Sequence, residues 1–422
     1  MSDRSQPVVR RLTDGEVDGY YTCLDHAFGR RSQERFRELE NGAIGVDRMF
    51  GAFVGTEVVG TAASFRLELT VPGLALAPTA GVTSVAVLPT HRRRGLMTSL
   101  MRHQLEDMRD RGEPLAALSA SEGGIYRRFG YGVATYASRY EIDKQQARLY
   151  RPLEELAEGS VRVVTPGQAE EIAPPLFDAA RRLRAGEVGA LPQWWESAFG
   201  EPSLTELDPK TRFFAAYEED GRVDGYVDYL VVADPADRHR RHIQVEMLFS
   251  VSLAAYAALW NFLLGIDLTS HVSTHGRPVD EPLKYLLVDH RQMRTLSHDD
   301  DLWVRLVDVR AALAARSYPN APGEGLVLDV VDTVCRWNDG VYRLDVADDG
   351  SAVVEGPSER DTAGLRADLT MDVSSLGSAY LGGVRVSDLA KVRRIDEHVA
   401  GRARRADILF SGDGEPYCSL GF

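Results

Sequence analysis

Between Gly81 and Leu100 the chain changes its periodicity within a few residues. Val82 to Leu88 is apolar and rich in β-branched residues, which predicts a buried strand; from Leu96 onward Leu96, Leu100, Leu105 and Met108 recur at helical spacing. Between strand and helix stand Arg92, Arg93, Arg94 and Gly95. The first turn of a helix carries N–H groups that no carbonyl of the helix accepts, and the dipole adds partial positive charge there. Glycine at the opening lets a ligand approach the backbone, and the arginines supply further charge. A strand, a basic turn and a glycine-opened helix therefore predict an α/β layer with a site for phosphate or pyrophosphate. A solvated basic loop in front of a core helix is the alternative.

Other features narrow the class. A chain of 422 residues is long enough for two or three domains. No run reaches the roughly 18 apolar residues of a membrane helix, and the N-terminal residues show no secretory pattern, so a cytoplasmic location with no membrane association is expected. Cys23, Cys335 and Cys418 lie far apart without a CxxC or Cys/His pairing, so neither a disulfide framework nor a metal site is expected. The net charge of -14 argues against nucleic acid and favours cationic partners.

The order of elements predicts a mixed α/β, α+β architecture. Asp14 to Phe28 reads as helix, Met49 to Val54 and Glu57 to Phe65 as a hairpin turning at Gly55 and Thr56, and Pro114 to Ser119 as a further strand. The following segment is Ser121-Glu-Gly-Gly-Ile-Tyr-Arg-Arg-Phe-Gly-Tyr131. A second copy follows at an offset of about 160 residues: the hairpin from Phe214 to Val227 matches the earlier one, and Val245 to Leu248 matches Val85 to Leu88. There Ser252, Leu253, Ala254 and Ala255 stand where Arg92 to Gly95 stood, so strand and helix persist while the cationic cradle is gone. Beyond Leu302 to Val309 come a short helix from Ala311 to Arg316, strand-like runs at 326–334, 340–346 and 352–355, and a helix from Val373 to Tyr380.

The turn Arg92-Arg93-Arg94-Gly95-Leu96-Met97 resembles the coenzyme A motif of the GNAT superfamily of N-acetyltransferases, with methionine where a small residue is usual, and Ser121 to Tyr131 resembles that superfamily's helix after its fifth strand, which implies a helix there. The third segment, through Asp368-Leu-Thr-Met371 and Gly377 to Gly383, resembles a sterol-carrier fold. Taken with Leu302-Trp-Val-Arg305, Tyr380-Leu-Gly-Gly383 and a terminal Phe, the chain resembles the enhanced intracellular survival (Eis) family. The resemblance implies a catalytic acetyl-coenzyme-A-binding GNAT domain over 1–150, a degenerate GNAT-like domain over 151–301, and a sterol-carrier-like domain over 302–422 that supplies the terminal carboxylate. It implies a homohexamer that acetylates primary amines of cationic acceptors, among them aminoglycosides, polyamines or lysine side chains.

Site expectations follow. Val85, Ala86 and Val87 would pair with the pantetheine arm as an added strand would. Arg93, Arg94, Gly95, Leu96, Met97 and Thr98 would hold the pyrophosphate, with Ser121 and Glu122 beside the acyl end; Arg92 would meet the ribose phosphate or solvent. Direct attack by an amine on a thioester needs a proton donor near sulfur and an acceptor near nitrogen. Tyr126 matches the family's general acid, although a tyrosine after a strand also serves as core. The family's base is the C-terminal carboxylate, here that of Phe422; a packed but inert terminus is the alternative. Asp289, Asp25 and Phe36 are the acceptor-site candidates, each also readable as plain surface. Ser84 stands where a bulky residue is expected in some relatives, which would widen the acceptor cavity. Two other functions remain open: a lipid or sterol binder acting through the third domain, and an acetyl-coenzyme-A-responsive interaction protein without turnover.

Overall fold

The computed structural model describes residues 7–199, 212–233, 241–360 and 366–422. It divides into one unit of Met1–Thr135, Asp301–Asp413 and Gly421–Phe422, and a second of Tyr136–Asp300 and Gly414–Leu420.

In the first unit, β1 (Val8–Arg11), β2 (Met49–Val54), β3 (Glu57–Thr70) and β4 (Leu76–Val87) are antiparallel neighbours; β5 (Leu115–Ser119) runs parallel to β4, and β6 (Gly132–Val133) lies at the far edge. Three helices accompany them: α1 (Val17–Phe28), α2 (Glu34–Ile44) and α3 (Leu96–Asp110). The apolar stripe of α3 is Leu96, Leu100, Met101, Leu105 and Met108, all buried against residues of the sheet such as Ala62, Ala80 and Ala116. Its helical spacing set this face, and the small alanines opposite let the helix lie close. The segment after β5 departs from the helix expected there: Ser121 to Ile125 is irregular, and only Tyr126–Phe129 makes a 3-10 turn. Gly123 and Gly124 explain this, since adjacent glycines weaken a helix by roughly 1 kcal/mol each.

The second unit repeats the theme. Its strands are β7 (Tyr136–Asp143), β8 (Ser160–Val164), β9 (Arg212–Glu219), β10 (Arg222–Ala233), β11 (Arg241–Ser250), β12 (His271–Thr274), β13 (Arg277–Pro278) and β14 (Met293–Asp300). They form one sheet in the order β13-β7-β12-β11-β10-β9-β8, with β14 also on β7. Its helices are α4 (Pro166–Arg181), α5 (Pro192–Phe199), α6 (Leu253–Gly265) and α7 (Leu283–Leu286). Parallel β11 and β12 are joined through α6, as β4 and β5 are joined through α3.

Next, β15 (Leu302–Leu306) returns to the first sheet, pairing antiparallel with both β5 and β6. Thus the strand at 302–306 completes the first sheet, and the strand at 136–143 belongs to the second. The remainder comprises α8 (Val309–Ala315), β16 (Gly325–Val331), β17 (Gly340–Val346), β18 (Ala352–Ser358), β19 (Leu369–Asp372), α9 (Val373–Ala379), α10 (Val386–Lys391), β20 (Ile395–Glu397) and α11 (Arg402–Phe410). These strands form a sheet of order β18-β17-β16-β19-β20. Among the described residues no helix is long and apolar enough to cross a membrane.

Inside the first unit, β15 is locked to the C-terminal sheet by two devices. A Cβ on Gly377 of α9 would collide with the carbonyl oxygen of Val304, and one on Gly132 with that of Ser374, so glycine permits the close approach. Arg305, fully buried, pairs with buried Asp332 at 2.5 Å, while the other carboxylate oxygen of Asp332 accepts the amides of Val334 and Cys335. Removing one partner of a buried pair strands the other charge. Asp332→Ala is therefore expected to destabilise this unit by about 3–5 kcal/mol, read as a lowered urea midpoint, whereas Arg343→Ala, in an exposed pair with Asp345, should barely move it.

Candidate active site

The parallel pairing of β4 with β5 covers Thr79 to Gly81 and stops. Past that point β4 continues along β3 alone, so among the described residues no strand covers its other edge from Val82 to Val87. The register on β3 also slips there: Thr61 faces Ala86 and Ala63 faces Thr83, so Ser84 and Val85 together oppose Ala62. This is a β-bulge, and Ser84 takes φ of 55° within it. The bulge turns β4 away from β5 and opens a wedge between them.

The strand then leads into the basic turn. Arg93 and Gly95 have φ of 62° and 78°, and Gly95 is the N-cap of α3. No side-chain hydrogen bond caps that helix, so its first amides remain available to an anion. Arg94 folds back, donating to the carbonyl of Thr90 at 3.2 Å.

A cleft of about 510 Å³ joins the wedge to the turn. It is lined by Val85, Ala86 and Val87 of β4, by Arg93, Gly95, Leu96, Met97 and Thr98 of the turn and α3, and by Ser121, Glu122 and Tyr126 from the loop after β5. Of the residues named for the coenzyme, Arg94 is not part of the lining. Arg92 does line it, together with His91, Ala27, Phe28, Ile125 and Arg128, which sequence reasoning did not assign to the coenzyme. Arg128 was findable from its place two residues beyond Tyr126; its guanidinium donates to the sulfur of Met97 at 3.4 Å, which holds the unusual methionine at the cleft wall.

Tyr126 is buried and meets Tyr131 edge to face, with ring centroids 6.1 Å apart. Burial raises its phenol above the ordinary value, a hydrogen bond with Ser121 offsets part of this, and the charge of Glu122 adds to it. The phenol is therefore protonated at neutral pH. The terminal Phe422 belongs to the same unit. Its ring meets that of Phe65 edge to face at 6.4 Å and would lie 3.1 Å from a Cβ on Gly81, the last β4 residue paired with β5. The Phe422 ring thus packs on β3 and β4 where β4 and β5 part, although Phe422 is not part of the cleft lining.

The acceptor candidates are not gathered in the cleft lining. Asp25 is buried on α1, where it accepts from the amide and hydroxyl of Ser32 and from Arg37 at 2.6 Å. Burial alone would raise its carboxyl, but these bonds outweigh it and hold it below the usual range. Phe36 is exposed on α2 beneath the guanidinium of Arg30, which lies 5.7 Å from its ring. Asp289 is in the second unit, capping a short 3-10 turn through the amide of Arg291 and the side chain of Gln292.

The fold and this geometry agree with comparison to known proteins. Residues 8–134 and 189–311 match models of acetyltransferase (GNAT) domains, and 309–419 match a sterol carrier protein domain. An N-acetyltransferase of Streptomyces coelicolor is 39% identical over 424 aligned residues, covering 98% of this chain and 99% of the relative. The N-acetyltransferase Eis of Mycobacterium tuberculosis is 36% identical over 366, covering 86% and 85%. The crystal structure of Eis1 from Mycobacterium abscessus superposes with a TM-score of 0.84 at 33% identity, covering 98% of this chain and all of that one. With two GNAT domains, a sterol-carrier-like end and a basic, glycine-opened turn beside an unpaired strand edge, the chain belongs to the Eis family of N-acetyltransferases in the GNAT superfamily.

Proposed function

We propose that this enzyme transfers the acetyl group of acetyl-coenzyme A to primary amines of cationic acceptors such as aminoglycosides, polyamines or lysine side chains, by direct attack. The observation that carries this reading is the continuity of the cleft, from the uncapped start of α3 along the open edge of β4 to Tyr126. The fit to the coenzyme is chemical: amides at Gly95 to Thr98 and the guanidinium of Arg93 suit a pyrophosphate, and the peptide groups of Val85 to Val87 suit the amides of a pantetheine arm. Bound there, acetyl-coenzyme A supplies the activated acyl group. The net charge of -14 favours a cationic acceptor by raising its local concentration.

In this reading Tyr126 donates its proton to the departing sulfur. Its raised pKa keeps the proton in place until negative charge develops on sulfur. The carboxylate of Phe422 accepts a proton from the attacking nitrogen. An α-carboxyl has an intrinsic pKa of about 3.5, so it works as a base only where burial or an intervening water assists it. The position of the Phe422 ring against Phe65 and Gly81 supports this assignment, because the aromatic side chain anchors the terminus beside the wedge.

Thiol release from acetyl-coenzyme A, followed with a panel of aminoglycosides and polyamines, tests the reading. Amine-dependent release is expected, with Tyr126→Phe lowering turnover by about 10²-fold or more at little change in coenzyme affinity; near-normal turnover would remove Tyr126 from the mechanism. A few residues appended after Phe422 should abolish turnover while folding and coenzyme binding persist, and Phe422→Leu should retain appreciable activity. Normal turnover in the extended enzyme would exclude the terminal carboxylate.

A further inference from the structure

The acceptor arrives as an ammonium ion, since an alkylamine has a pKa of about 10. Two protons must leave its nitrogen, one before attack and one after the C–N bond forms. The mechanism above gives the carboxylate of Phe422 one of them, and beside the β4 bulge the first unit holds a buried carboxylate that the mechanism does not use.

Glu40, on α2, is 9% exposed. One of its carboxylate oxygens accepts a hydrogen bond of 2.9 Å from the hydroxyl of Ser84, and the other is buried without a hydrogen-bond partner. Ser84 is the bulge residue with φ of 55°, and its carbonyl is held by the hydroxyl of Thr61 at 2.8 Å. A non-glycine residue in this conformation is strained, and the two hydrogen bonds hold it from β3 and from α2. Position along β4 gives the pair its meaning. If phosphates sit at Gly95 and the arm runs along Val87 to Val85, the acyl end lies at Val85, and Ser84 is the next residue, roughly 3.3 Å further on.

We propose that Ser84 and Glu40 form a proton-accepting pair that removes the first proton from a strongly basic amine, leaving the second to the chain terminus. The proposal rests on the acetyl-transfer reading above. In the step, R–NH3+ gives a proton to the Ser84 oxygen as the hydroxyl proton of Ser84 passes to Glu40, yielding R–NH2 and protonated Glu40. The free amine then attacks the thioester carbon. The C–S bond breaks with the Tyr126 proton going to sulfur, and the second nitrogen proton goes to the carboxylate of Phe422. Overall, R–NH3+ and acetyl-coenzyme A give R–NH–acetyl, free coenzyme A and one proton to solvent, through which the residues reset.

The surrounding groups leave this task to Glu40. Burial pushes the phenols of Tyr20 and Tyr21 up, so both stay neutral. Asp25 is occupied by Ser32 and Arg37, and Arg30 lies over the rings of Phe28 and Phe36. Burial raises the Glu40 carboxyl above its ordinary value, partly offset by the hydrogen bond from Ser84, which makes it a better acceptor than an exposed carboxylate.

The test compares a polyamine, protonated at assay pH, with a fluorinated alkylamine that is not. Only the first needs the pair. Glu40→Gln keeps the shape and an acceptor oxygen for Ser84 but cannot take a proton. It should lower the ratio of kcat/KM for the basic over the weakly basic amine by about 10-fold or more, and Ser84→Ala should lower it likewise, with acetyl-coenzyme A affinity measured by titration as the check on folding. An unchanged ratio in both variants would overturn the pair, because damage to packing alone depresses both amines together. If no amine drives thiol release in the unmodified enzyme, the acetyl-transfer reading itself fails; if release is amine-driven and only the ratio stays fixed, only the pair fails.

Discussion

Helix α3 opens on a residue that cannot cap it, and the rest of the site depends on that. The first amides of any helix need an acceptor, and most helices find one in a serine, threonine or acidic side chain. Gly95 has none to offer, and at φ of 78° it sets the backbone at an angle that favours glycine. The second unit shows the alternative outcome of the same architecture. There α6 begins after Ser252, whose hydroxyl accepts the amide of Ala255 at 3.1 Å. One helix start is satisfied internally and the other is left for a ligand, which accounts for two GNAT folds with a single cradle between them.

The cradle is useful only because the strand feeding it has an open edge. β4 loses β5 after Gly81 and carries the bulge at Ser84; the next residue, Val85, shares a cleft lining with Tyr126, and the Phe422 ring packs at Gly81. The far side of β5 is closed by β15, a strand from much later in the chain, which the Arg305–Asp332 pair and the glycines at 132 and 377 tie to the C-terminal sheet. The segment from Asp301 to Asp413 is therefore part of the first unit's framework, and the last two residues, Gly421 and Phe422, belong to that unit as well. Tyr126, Phe422 and the basic turn, proposed above as acid, base and coenzyme cradle, come from distant parts of the sequence and belong to the same unit.

Much of this was legible. The change from β-branched run to helical spacing around Arg92 to Gly95 located the turn, because period and glycine placement are local properties. The second copy was visible for the same reason, and Ser252 to Ala255 already showed the lost charge. Non-local pairing was not legible: Leu302 to Leu306 is buried throughout, so it carries no alternation to say which sheet it joins. The bulge at Ser84 left no mark in composition, and Glu40 was not singled out, because its burial comes from the packing of α2 rather than from any local pattern. Asp25 read as an exposed acid, but it is buried and closes the α1–α2 turn through Ser32 and Arg37. The helix expected after β5 failed on Gly123 and Gly124, which a stricter weighting of adjacent glycines would have flagged.

The central claim is that the uncapped, arginine-flanked start of α3 beside the open edge of β4 makes one coenzyme site per chain. Equilibrium titration of the full-length protein with acetyl-coenzyme A tests it most directly, alongside Gly95→Asp, whose carboxylate would occupy the α3 amides and repel a pyrophosphate while tolerating the left-handed backbone. The account predicts one site per chain, lost or strongly weakened in the variant. Two sites per chain, or binding indifferent to the change at Gly95, would contradict it.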